Sequence, residues 1–328
     1  RTPSMRPDSM TAPTRITYFH PKLSVAGASA SGRLGEGVLS FEAAHYDSPE
    51  DRAGHDFAVP NAETRLLADA WDQAVRGESK RPHILTIVAL GGEGKTSLVA
   101  KWAAELAHQD WPGCDAVFAW SFYSQGTREQ LAASSDLFLK EALTFFGDPA
   151  LAGSAAGAFD KGRRLAQLVG ERRALVILDG LEPLQYAPTS PTPGELKDQG
   201  VAALLKGLAA TSRGLCVVTT RYSLPDLKAF WQTTAPEKEL KRLSRDAGVH
   251  LLKAHGVTGS DRRNIALGDA PEDGGMEMVS EFEKLVEDVD GHALTLHIMG
   301  SFLKKSFRGD IRCRDRVTFE KASQKTDD

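Results

Sequence analysis

The sequence predicts an α/β fold: a parallel sheet covered by helices on both faces, followed by a small all-helical subdomain. Three observations predict it. Runs that are apolar almost throughout recur at Ile84–Leu90, Ala116–Phe122, Ala174–Leu178 and Leu215–Thr219, and strands apolar at every position are buried on both faces. Segments with a helical apolar period separate these runs, and alternation of strand and helix implies parallel pairing through crossovers. After Ser244 only helical patterns remain.

Each element has its own signal. Six prolines between Pro3 and Pro60 and the small-residue run at 26–32 interrupt any period near the start. A mostly flexible linker is therefore expected over 1–56, with a short strand at Gly37–Phe41. Glu63–Val75 carries Leu66, Leu67, Ala70 and Trp71 on one helical stripe. A helix opening near Gly94 turns Leu98, Val99, Trp102, Ala103 and Leu106 inward. Glu129–Phe146 and Asp160–Glu171 read as helices, and Pro183, Pro188, Pro191 and Pro193 as an open loop. Asp198–Ala210 is helical, and Glu239–Leu243 is a short fifth strand. Arg245–His255, Met276–Val289 and His292–Lys304 make the helical subdomain. The expected division is thus a sheet domain over 57–244 and a helical subdomain over 245–328.

The 328 residues allow about two domains. Forty Lys and Arg against 44 Asp and Glu give a net charge of −4, which excludes a globally basic nucleic-acid binder and an acidic tail protein. No apolar run approaches the ~18 residues of a membrane span, and no leader pattern is visible. The three cysteines, Cys114, Cys216 and Cys313, are far apart. They outline no disulfide framework and fit a reducing, cytoplasmic setting. The chain starts at Arg1 and reads as a piece of something longer.

The strongest chemical signal is Gly91-Gly92-Glu93-Gly94-Lys95-Thr96-Ser97, between a buried strand and a helix. That context is what a phosphate-binding Walker A loop requires. Glycines let backbone N–H groups approach phosphate oxygens with no Cβ in the way, and the following helix N-terminus favours an anion. Residues 91–97 are the candidate nucleotide contacts, with Lys95 on the β- and γ-phosphates and Thr96 on Mg2+. Ala89 stands where the motif has its first glycine; alanine fits there if its φ is negative.

Asp179 ends the apolar run Ala174–Leu178, as the Mg2+-holding aspartate of a Walker B strand does. Glu182, three residues on, is the candidate to activate the attacking water. Arg221, after the strand ending Val-Thr-Thr, is the candidate reporter of the γ-phosphate. Lys95, Asp179, Glu182 and Arg221 are the expected catalytic set, and the fold class sharpens to a P-loop NTPase three-layer sandwich.

Together these residues resemble the STAND class of P-loop signalling NTPases, which includes the NB-ARC and NACHT groups. The resemblance spans about 57 to 305. It rests on Gly-Gly-Glu-Gly-Lys-Thr-Ser at 91–97, Asp-Gly-Leu-Glu-Pro-Leu-Gln at 179–185, Val-Thr-Thr-Arg at 218–221 and Gly-His-Ala-Leu-Thr-Leu at 291–296. The last looks like the GLPLAL box of the helical ARC subdomain, with Ala293 in place of proline. Trp120–Gly126, with 179–185, is similar to the bacterial branch. The resemblance implies ATP/ADP and Mg2+ as ligands, Leu294 beside the base, and an ADP-held closed state. It implies self-association on exchange to ATP, slow hydrolysis, and effector and sensor domains outside this chain. The segment from Phe57 (Phe-Ala-Val-Pro-Asn) lacks the Gly and Arg that open the family's pattern.

Two other readings are weighed: a nucleotide-binding scaffold with no hydrolysis, and an AAA-like ATPase motor acting on nucleic acid or a protein client. Gly180, where a motor has its glutamate, argues against the motor. No guanine-specifying Asn/Thr-Lys-x-Asp motif occurs, which favours ATP. His292 and His297 hint at a metal face, but with no third ligand nearby a packed or capping role is expected. The basic cluster Lys304, Lys305, Arg308, Arg312, Arg314 and Arg316 is interrupted by acids and reads as a solvated face rather than a nucleic-acid surface.

Overall fold

A computed structural model describes residues 15–19, 62–122, 128–259 and 280–316. They fall into two compact units. The first comprises 1–48, 57–89 and 95–239, and the second 49–56, 90–94 and 240–328.

The first unit is built on a six-stranded sheet in which every pairing is parallel. In chain order the strands are β1 (Arg15–Phe19), β2 (Ile84–Val88), β3 (Ala116–Ser121), β4 (Ala174–Asp179), β5 (Leu215–Thr220) and β6 (Glu237–Glu239). Across the sheet they run β1-β3-β4-β5-β2-β6. The helices are α1 (Ala62–Arg76), α2 (Lys95–His108), α3 (Arg128–Phe146), the short α4 (Pro149–Ala152), α5 (Ala158–Gly170) and α6 (Gln199–Ala210).

The central strands bury almost every residue, as their apolar runs require. Alternate side chains go to opposite faces. Phe118, Trp120, Val176, Leu178, Cys216 and Val218 join one cluster with Phe138, Leu143, Leu165, Val201 and Leu205 from α3, α5 and α6. Leu85, Ile87, Val117, Leu175, Ile177 and Val217 face the other way and are equally buried. There α1 and α2 meet each other and β5. Aromatic rings thicken the first face: Phe118 lies 5.9 Å from Phe146, and Trp120 5.7 Å from Phe138, distances at which tilted rings attract.

Helices α5 and α6 make the closest helix pairing of this layer, and glycine is the reason. A Cβ on Gly162 would sit 1.9 Å from the Gly200 carbonyl oxygen. Asp198 caps α6 by accepting the Val201 N–H at 2.7 Å.

Three details depart from the sequence reading. Strand β1 forms inside the stretch expected to be linker and pairs with β3 from Arg15↔Ala116 to Phe19↔Trp120. The short strand expected at Glu239–Leu243 is instead Glu237–Glu239, paired with Thr86–Val88. The proline loop is folded back rather than open: Tyr186 N–H donates to the Glu195 carbonyl at 2.8 Å, and Gln185 bridges Leu196. The strand expected at Gly37–Phe41, the segment 57–61 and the first four residues, 276–279, of the expected Met276–Val289 helix lie outside the described residues.

The second unit holds α7 (Arg245–Ala254), α8 (Glu281–Asp288) and α9 (Ala293–Phe307), then a tight helical turn at Ile311–Arg316. Leu252, Phe282, Leu285, Val286, Leu296, Met299 and Leu303 form its core. Ser280 and Glu283 make a reciprocal capping box on α8. Two members of the basic cluster are paired within the chain: Arg312 with Asp310, and Arg314 with Glu281 and Asp288. Among the described residues no helix is long and apolar enough to cross a membrane.

Candidate functional site

The topology itself marks a place. The connection leaving β2 runs toward β3 on one side, while the connection leaving β5 passes β2 to reach β6 on the other. Open parallel sheets bind ligands outside the C-terminal ends of strands where the winding reverses in this way. Asp179 closes β4, Thr219 and Thr220 close β5, and Ala89 follows β2, all on that rim of the first unit.

Asp179 is buried and is the hub of a hydroxyl network. Its Oδ1 accepts from Thr96 Oγ1 at 2.8 Å and from Thr219 Oγ1 at 2.7 Å. The Thr219 hydroxyl in turn accepts the Gly180 N–H at 2.9 Å. Ser121, at the end of β3, reaches Oδ2 at 3.5 Å. Three strand ends and the first turn of α2 thus converge on one carboxylate. Thr96 remains exposed to solvent while its partner is buried, so the pair opens outward on one side.

Lys95 is buried, with Nζ donating to the Ala89 carbonyl at 2.7 Å. Ala89 N–H donates to the Thr220 carbonyl at 3.2 Å. Ala89 is not among the residues with positive φ, which meets the condition for an alanine there. The turn before Lys95 needs its glycines at two places, Gly92 at φ +81° and Gly94 at φ +89°, the left-handed region that side chains resist.

Glu182 begins a tight helical turn after β4 and is nearly buried. Its Oε1 pairs with Arg221 Nε at 3.0 Å, while Oε2 is buried with no hydrogen-bond partner among the described residues. The sequence assigned these two residues separate roles; the fold puts them in one ion pair.

Two positioning residues escaped the sequence reading. Thr219 is one, since threonine is an ordinary strand residue. Gln185 is the other: it is buried, its Nε2 donates to the carbonyls of Gly194 at 2.8 Å and Ser223 at 3.0 Å, and its Oε1 accepts from Thr220. It therefore ties the proline loop to the segment that carries Arg221.

In the second unit, the turn 90–94 packs with the start of α9. Leu294 N–H donates to the Gly92 carbonyl at 2.9 Å, and its side chain is exposed, as is that of Leu90. His292 caps α9, the role favoured over a metal face. His297 pairs instead with His255, ring nitrogens 2.9 Å apart. Ser97 is exposed on the first turn of α2. Tyr123, Ser124 and Gln125 lie outside the described residues.

A cavity of about 630 Å3 sits at the opposite, N-terminal edge of the strands, lined by Arg76, Arg81, His83, Arg173 and Arg213 among others. Its cations have acceptors already. Arg81 donates to the Ser212 and Gly214 carbonyls, Arg76 pairs with Glu78, and Arg173 lies near Asp115. Burial and the neighbouring Arg81 hold the His83 pKa below its ordinary value.

The sequence matches no model of a known protein family, and no curated protein matches it either.

Proposed function

We propose that this chain is a nucleotide-binding signal-transduction module of the P-loop NTPase kind. It takes ATP and ADP with Mg2+, hydrolyses ATP slowly, and uses the bound nucleotide to switch self-association and effector domains outside this chain. One observation carries the reading. Thr96 and Asp179 are 83 residues apart in sequence, yet their side chains are hydrogen-bonded at 2.8 Å, directly beside Lys95.

In this reading the amides of residues 91–94 and the Lys95 ammonium take the phosphate oxygens. Thr96 and Asp179 would hold Mg2+, and their donor set suits it: one hydroxyl and one carboxylate, with water and phosphate completing the shell. Among the described residues there is no cluster of three His, Cys, Asp or Glu side chains to form an all-protein cage. Bound there, the cation supplies charge neutralisation on the phosphate oxygens. Thr219 and Ser121 fix the Asp179 carboxylate in place. Glu182 polarises the attacking water through its spare oxygen. Arg221 neutralises Glu182 in the resting arrangement. Arg221 transfers to a γ-phosphate when one is present and so leaves Glu182 the stronger base. The exposed Leu90 and Leu294 offer the base an apolar surface.

The test is direct. Mass spectrometry of the denatured protein identifies the nucleotide that co-purifies, with ADP expected. Calorimetric titration with Mg·ADP should show binding that Lys95→Ala weakens by about 3 kcal/mol, on the order of 100-fold, through loss of a charge-assisted contact. Circular dichroism checks that the variant is folded. Unchanged ADP affinity in a folded Lys95→Ala protein sinks the assignment. Fast turnover stimulated by a nucleic acid or protein client would turn the reading from switch to motor.

A further inference from the structure

The turn 90–94 clusters with the helical residues of the second unit, and two of its three glycine carbonyls are engaged by the start of α9. The ring nitrogen His292 Nε2 lies 3.1 Å from the Gly91 carbonyl oxygen, and Leu294 N–H donates to the Gly92 carbonyl at 2.9 Å. The approach is close: a Cβ on Gly92 would lie 2.7 Å from His292 Cε1 and 3.0 Å from Leu294 Cβ. The tautomer follows from the bonding. His292 Nδ1 accepts the Thr295 N–H as the cap of α9. Nδ1 also meets the Thr295 hydroxyl at 2.8 Å, and because a carbonyl oxygen only accepts, the contact with Gly91 puts a ring proton on Nε2.

Peptide planarity gives these contacts a consequence. The C=O of Gly91 and the N–H of Gly92 belong to one rigid trans unit and point in opposite directions. The same holds for the C=O of Gly92 and the N–H of Glu93. Pinning the two carbonyls toward α9 aims the two amides away from it. Hydrogen bonding to a carbonyl also polarises the amide of the same unit, which makes it a better donor. The turn is held from a third point, where buried Glu93 pairs with Arg242 at 3.2 Å and Arg242 pairs with Asp290 just before the cap.

We propose that His292 is a positioning residue for the phosphate-binding turn: by bonding the Gly91 carbonyl it sets the direction of the anion-binding amides, so that an anion on the turn and the seating of the α9 N-terminus stabilise each other. This deepens the nucleotide reading above and rests on it for the identity of the anion. The coupling is reciprocal by linkage. Whatever displaces the start of α9 loosens the anion, and a bound anion holds α9 in place.

The experiment separates the cap from the contact. His292→Asn keeps a strong helix cap but is too short to reach Gly91. His292→Gln restores an N–H donor near the position of Nε2. Hydrogen exchange of the full chain, read by mass spectrometry on peptides covering 90–94, is compared with Mg·ADP affinity and with the thermal midpoint. For His292→Asn, exchange at 90–94 should rise and ADP affinity fall, each by about 5-fold, the worth of one net hydrogen bond. The thermal midpoint and the exchange of α9 should stay close to wild type, and His292→Gln should recover most of both losses. Wild-type exchange at 90–94 in His292→Asn overturns the proposal, as does a loss that Gln fails to repair. If the wild-type protein takes up no ADP, the nucleotide reading is what falls. Exchange at 90–94 still decides whether His292 sets the turn.

Discussion

Asp179 shows how single side chains make this site. A carboxylate buried at a strand end needs donors, and hydroxyls supply them: Thr96, Thr219 and, at longer range, Ser121. Glu182 is its counterpart, with one oxygen neutralised by Arg221 and the other left buried and unbonded. A polar atom kept in that state is costly, and sites of chemistry are where such costs are tolerated. Glu182→Gln keeps the shape and removes the carboxylate proposed as the base. It should leave Mg·ADP affinity within about 2-fold and slow ATP turnover on the order of 100-fold, the usual worth of a general base. Isothermal titration and phosphate release measure the two, and a loss of binding would make Glu182 a structural residue. Much of this residue-level picture was legible: Lys95, Thr96 and Asp179 stand at motif spacing after apolar runs. Thr219 and Gln185 stand inside quoted motif stretches, yet their bonding roles were not legible, because spacing does not show which hydroxyl or carbonyl a side chain meets. The Glu182–Arg221 pair depends on which strands adjoin, which spacing alone does not fix.

At the level of elements, periodicity located the helices and central strands to within a few residues, since each is apolar on every face it buries. The failures have a common physical cause. Strand β6 is Glu-Lys-Glu and pairs only through its backbone; no hydrophobic pattern announces a strand that buries so little. Strand β1 lies among prolines and small residues, a composition that signals linker. Helix packing, by contrast, depends on a detail a sequence reader passes over. Gly162 and Gly200 let α5 and α6 approach until backbone touches backbone. Gly162→Ala should raise helix propensity locally yet destabilise the protein by about 2 kcal/mol or more through overpacking. A urea titration reads the sign, and a stabilised variant would mean that the two helices can part without loss.

For the molecule as a whole, the parallel order β1-β3-β4-β5-β2-β6 has a cost at its first position. β1 reaches β3 from nearly a hundred residues upstream, so its docking closes a long loop and is expected late in folding. Until then, or in any chain cut before residue 57, the outer flank of β3 presents unsatisfied N–H and C=O groups to solvent. Such a flank templates intermolecular strand addition. A shortened protein beginning at residue 57 should therefore form concentration-dependent oligomers on gel filtration at lower concentration than the ADP-bound longer chain, whose edge is the shorter β1. Self-association seen with trimmed material would then report an uncovered ladder rather than a nucleotide signal.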